Sequence, residues 1–132
     1  MPIKTDPATW TDPRHRRGVK GEAIALKFLE SRGWSLLAHR FRLGRWEIDL
    51  IVRQGRLVAF VEVKTRRGSA FGSPLEAVTW HKRREIVRAA RGWMDRHGRS
   101  DDVYRFDVVG VTMLPQGLKI QYVEDAFRPG WR

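Results

Sequence analysis

The chain has 132 residues, enough for one domain with a real core, and its 26 Lys and Arg against 15 Asp and Glu give a formal charge of +11. That balance points to nucleic acid or another polyanion as partner. With no Cys, disulfides and cysteine–zinc sites are excluded, and His15, His39, His81 and His97 lack ligand spacing. No stretch is apolar enough to span a bilayer or to form a signal-peptide core, so a cytoplasmic protein with no membrane partner is expected. Residues 1–17, with Pro2, Pro7, Pro13 and a basic end, read as a flexible tail able to touch phosphate. Residues 18–32 then read as a helix stopped by Gly33. On its wheel Glu22 falls among Ala25, Leu26 and Leu29, a costly place for a carboxylate unless it is paired or bound to metal. The alternative is a first-turn glutamate that favours the helix dipole and reaches solvent.

A first strand over residues 34–42 leads into "EIDLIVRQGRLVAFVEVKT", residues 47–65, which reads as two strands around a Gln54–Gly55 turn. Alternation about that turn sets Glu47 opposite Glu62 and Asp49 opposite Phe60, with Glu47, Asp49, Glu62 and Lys64 on one face. Ile48, Leu50, Val52, Leu57, Ala59, Val61 and Val63 take the other. Asp49 and Glu62 become diagonal neighbours, roughly 7–8 Å apart at Cα. Carboxylates gathered in this way are unfavourable unless something positive joins them. A divalent cation would do so, since Mg2+ takes one or two carboxylates with water and substrate phosphate. The simpler alternative is a salt bridge in which Lys64 neutralises Glu62.

The loop "RRGSAFGSP", residues 66–74, precedes a helix start with Ser73 as N-cap, Pro74 at the first position and Glu76 closing a capping box. A second start at Thr79 would break this helix between Val78 and Trp80, and its main body runs to His97 before Gly98. Ile86, Ala89, Ala90 and Trp93 form its apolar stripe, extended by Lys82, with Arg83, Arg84, Arg88 and Arg91 around it. A solvated basic face accounts for some of these arginines. Residues 103–113 and 117–124 read as two strands joined around Pro115–Gln116, with Asp107 expected as a structural partner for an arginine. The order is helix, three strands, helix, two strands: an α/β sandwich around a mixed sheet, one domain over residues 18–127 with a short tail at 128–132.

"GEAIALKFLESRGW", "EIDLI", "FVEVKTR", "FGSPLEAVTWHKRREIVRAA" and "YRFDVVGV", in that order and spacing, resemble the bacterial YraN family over residues 18–127. That family is similar to archaeal Holliday-junction resolvases and belongs with the PD-(D/E)xK, restriction-endonuclease-like nucleases. The resemblance implies an αβββαβ core whose metal site falls on Glu22, Asp49, Glu62 and Lys64. Ile48 stands where many members of the wider group have proline. On this reading Asp49, Glu62 and the Val63 carbonyl would hold Mg2+ or Mn2+, and Glu22 would ligate directly or through water. Lys64 would position the attacking water or stabilise charge on the phosphate. Glu47 is a weaker candidate, expected to pair with a nearby arginine. Arg66, Arg67, Lys82 and Arg83 would grip backbone phosphates. The expected function is a metal-dependent nuclease on DNA, more so than RNA, selective for branched or other structure rather than for bases. Two other readings stay open: a non-catalytic nucleic-acid-binding accessory protein that keeps the nuclease fold, and a scaffold whose acidic cluster is structural. Resolvase-like cutting would need two active sites, so a homodimer through an edge strand near the C-terminus is a further expectation.

Overall fold

A computed structural model of the chain describes residues 16–68 and 72–129. In chain order the elements are α1 (Arg16–Ser31), β1 (Ser35–Leu43), β2 (Trp46–Gln54), β3 (Leu57–Arg67), α2 (Trp80–His97), β4 (Val103–Leu114) and β5 (Gly117–Phe127). The expected tails at 1–15 and 130–132 lie outside the described residues. Helix α1 begins at Arg16, two residues inside the expected tail. Glu22 therefore sits in the second turn and is buried, so it is not a first-turn glutamate reaching solvent. The helix ends as expected: Gly33 takes φ +92°, and the Gly33 and Trp34 amides donate to Glu30 O and Leu29 O at 3.0 and 3.1 Å.

The sheet runs β1-β2-β3-β4-β5, antiparallel throughout except for the parallel pair β3–β4. A parallel pair needs a crossover, and α2 supplies it. One helix covers each face, which is why the central strands read as dense apolar runs. On one face α1 packs Ala25, Leu26 and Leu29 against Leu50, Val61 and Val109. On the other, Ile86, Ala90 and Trp93 of α2 meet Ile51, Phe60 and Phe106. This is the mixed α/β architecture expected of the restriction-endonuclease-like core, with β5 added at the edge. Among the described residues no helix is long and apolar enough to cross a membrane.

Two expectations for the hairpin need correction. The turn is Gly55–Arg56, so Gln54 pairs Leu57, Ile51 pairs Phe60 and Leu50 pairs Val61. Phe60 is thus opposite Ile51 rather than Asp49, and one further step along this register brings Asp49, not Glu47, beside Glu62. Ile48 packs with Ile51 under α2 rather than with Leu50 and Val52, so strict alternation breaks between them, at Asp49–Leu50.

Short turns and close contacts position the rest. Pro74–Ala77 forms a single 3-10 turn, and Thr79 caps α2 by accepting from the Lys82 amide at 3.1 Å, which places the expected break. Ser73 caps the first turn through the Leu75 amide at 3.2 Å, rather than through the expected box with Glu76. Gly21 lets α1 lie close on β3: a Cβ there would fall 2.0 Å from Thr65 Oγ1.

Candidate active site

Asp49 stands where both neighbouring ladders fail. The β2–β3 pairing stops at Leu50, and the β1–β2 pairing passes from His39–Leu50 to Phe41–Ile48, skipping Arg40. Arg40 itself takes φ +52°, a left-handed conformation that costs a residue with a side chain about 1–3 kcal/mol. Freed from regular pairing, Asp49 Oδ2 accepts the Val63 amide at 2.8 Å, a link across to β3.

Glu62, on β3 under the start of α2, is only 4% exposed. Lys64 Nζ and Lys82 Nζ approach it at 3.9 and 3.7 Å, both toward Oε2. Its other oxygen, Oε1, is buried with no hydrogen-bond partner. A carboxyl oxygen left without a partner in the interior costs about 1–3 kcal/mol. Asp49 is held well above the ordinary carboxylate range by its burial first, then by the charges of Glu62 and Glu22 and a hydrogen bond shared with Glu62; the Val63 amide opposes this.

Glu22 is differently placed. Arg40 Nε and Nη2 donate to its two oxygens at 2.9 and 3.0 Å, and His39 Nε2 lies 2.6 Å from Oε1. Burial acts to raise its pKa, but the His39 and Arg40 hydrogen bonds outweigh it, and the carboxyl stays below its usual value. Glu22 thus faces the cluster already neutralised. Glu47 pairs with Arg42 at 2.6 Å, as expected for an arginine partner.

Asp49, Glu62, Val63, Lys64 and Lys82 therefore come together, with Glu22 behind them. Among the described residues no three His, Asp or Glu side chains gather closely enough to form a cation cage. The donors present, two carboxylates with one oxygen bare, are the hard oxygens that Mg2+ takes. Of the expected phosphate-gripping residues, Lys82 touches this cluster, through Glu62. Arg66 donates to Ser73 O at 3.2 Å and ties the loop that follows β3 back to the strand. Arg83 donates to Val78 O at 3.1 Å and lies over the Trp80 and Phe127 rings. Arg67 is exposed at the end of β3.

Arg40 and His39 are the residues that sequence reasoning missed. Their signal was Glu22 itself: a carboxylate on an apolar stripe demands a cation, and the His39–Arg40 dipeptide on the next strand was the nearest supply. The left-handed Arg40 that aims the guanidinium has no such signal.

The model of the uncharacterised protein family UPF0102 matches residues 21–111. A UPF0102 protein of Geobacter sulfurreducens is 40% identical over 111 residues, covering 83% of this chain and 87% of its own length. One from Chloroherpeton thalassium is 40% identical over 119 residues, covering 84% and 92%. One from Nocardia farcinica is 46% identical over 98 residues, covering 74% and 77%. The matched stretch takes in Glu22, the Asp49–Glu62 pair, Lys64 and Lys82, so the site described above lies wholly within it. The chain belongs to UPF0102, the YraN family.

Proposed function

We propose that the chain is a divalent-metal-dependent nuclease that hydrolyses phosphodiester bonds in DNA, selecting its substrate by structure rather than by base sequence. The observation that carries this reading is half-buried Asp49 beside buried Glu62, whose Oε1 is unpartnered. Asp49, Glu62 and the Val63 carbonyl would hold Mg2+ or Mn2+. When bound, the cation supplies charge neutralisation at the scissile phosphate and an acidified water. Lys64 would orient the attacking water and offset charge growing on the phosphate, and Lys82 would hold a non-bridging phosphate oxygen from the opposite element. Glu22, kept ionised by Arg40 and His39, would fix the position of Asp49 electrostatically and accept a hydrogen bond from a water in the outer shell. A DNA substrate places the protein in the cytoplasm, and β5, an edge strand, is where a second copy would add for cutting both strands of a branch.

Incubation with labelled branched, single-stranded and duplex DNA, and with RNA, in Mn2+, Mg2+ or EDTA tests the reading. Cleavage of a DNA in metal and not in EDTA supports it. Binding without cleavage in every metal condition would favour the second reading, a non-catalytic accessory protein. The closure of both Glu22 oxygens by Arg40 and His39 is the observation on that side.

A further inference from the structure

We infer that the outer face of α2 is a docking track for a single-stranded nucleic-acid segment, separate from the Asp49–Glu62 centre. Two hollows adjoin there and share Arg84 and Arg88 in their walls. The first, about 410 Å³, holds Trp46, whose ring has the Arg88 and Arg45 guanidiniums 5.1 and 5.9 Å from its centroid. The second, about 590 Å³, lies between Trp80 and Phe127, with the Arg83 guanidinium 5.7 and 5.3 Å from their rings. The arrangement is aromatic plate, arginine ridge, aromatic plate.

That order matches one ligand chemistry. Bases stack on aromatic faces and arginines pair with the phosphates between them, a combination that tolerates any sequence. Trp80 is 78% exposed, a large apolar surface with no use inside the fold. Among the described residues Glu85 is the one acid lining either hollow, and it lies 3.6 Å from His81. A duplex keeps its base faces stacked inside, so it would meet only the arginines. An acidic peptide would likewise use the ridge and leave both tryptophan faces idle. Lys82, two residues along α2 from Trp80, points instead to the other side of the helix and to Glu62, so the track lies apart from that centre. The inference rests on the nucleic-acid partner of the reading above, and not on cutting.

The test is fluorescence anisotropy of the full-length chain in EDTA, where cutting is suppressed, with labelled oligothymidine, an abasic strand of equal length and a duplex. Trp80→Ala and Trp46→Ala should each weaken oligothymidine binding on the order of tenfold. Trp80→Phe should retain most of the affinity, and the abasic strand and duplex should be insensitive to all three changes. Arg84→Ala with Arg88→Ala should weaken every probe and flatten the salt dependence. Oligothymidine affinity unchanged in both tryptophan variants, or weakened no more than that of the abasic strand, overturns the track. Displacement of oligothymidine by polyglutamate at equal charge would overturn it too, assigning the face to an acidic protein. If Trp46→Ala lowers the melting temperature, exposed Trp80 alone decides. A protein that binds as described yet never cleaves in metal would sink the nuclease reading and leave the track standing.

Discussion

Asp107 and Glu62 are buried carboxylates on adjacent strands, with Val61 paired to Asp107 and Glu62 to Val108, and the fold treats them in opposite ways. Asp107 is 1% exposed, and its oxygens take Arg105 Nε and Nη2 at 2.8 Å each, the Asp125 amide at 2.9 Å and the Tyr122 hydroxyl. Arg105 is in turn braced over Trp34 and beside Glu124. The strongly raised Tyr122 hydroxyl, pushed up first by burial and then by Asp107, is fixed as a donor. Glu62 has two ammoniums at the limit of ion pairing, both on one oxygen, and a carboxyl neighbour in Asp49. The same sheet that surrounds one acid with donors leaves the next one short. On the function proposed above, Asp107 is an acid that holds the fold together, and Glu62 is one that takes its remaining partner from outside.

Four measurements bear on this contrast. Asp107→Ala strands Arg105 and should cost about 3–5 kcal/mol by urea denaturation. Glu62→Gln costing as much would erase the distinction. Glu62→Ala and Lys64→Ala should lower metal-dependent cleavage by roughly 10²–10³-fold while DNA affinity in EDTA stays within a few fold. Undiminished cleavage in both would place the chemistry elsewhere. Mn2+ at a hundredfold excess over its Kd should stabilise wild type by about 2.7 kcal/mol in thermal melts. That gain should shrink or vanish in Asp49→Asn.

The smallest effect concerns the apo protein and pH. The Asp49 pKa is raised in the fold, so its contribution to stability is complete below the ordinary carboxylate range and is lost as pH rises through the raised value. Asparagine cannot ionise and still offers an oxygen to the Val63 amide. Asp49→Asn should therefore gain on wild type as pH increases toward and past neutrality. A variant less stable than wild type at neutral pH, with the gap widening as pH rises, would make Asp49 a structural acid like Asp107.

Much of this was legible in the residues. Period-2 and 3.6-residue patterns with capping signals at Gly33, Thr79 and Gly98 placed every element to within a few residues. The proximity of Asp49 to Glu62, expected from alternation, is present despite the two-residue error in the hairpin register, through the Asp49 bond to the Val63 amide. The register itself did not survive, because Gln54–Gly55 and Gly55–Arg56 both supply a glycine to a tight turn. The broken alternation at Asp49–Leu50 was illegible: it follows from the separation of two ladders and the Arg40 backbone, which are properties of the assembled sheet. For the same reason, repulsion within the set Glu22, Asp49 and Glu62 falls largely on the last two, since Arg40 and His39 already answer Glu22.

The parallel pairing of β3 with β4 also governs how the molecule is made. Strands β1, β2 and β3 meet through short turns and can pair as soon as they leave the ribosome. The second edge of β3 must wait for Val103–Leu114, beyond the whole of α2. Until then Val58 to Val63, an uninterrupted apolar run apart from Glu62, presents unpaired backbone to its surroundings, the kind of edge that recruits other chains. The charge of Glu62 interrupts that run near its end, where a charged residue protects a nascent strand from aggregation.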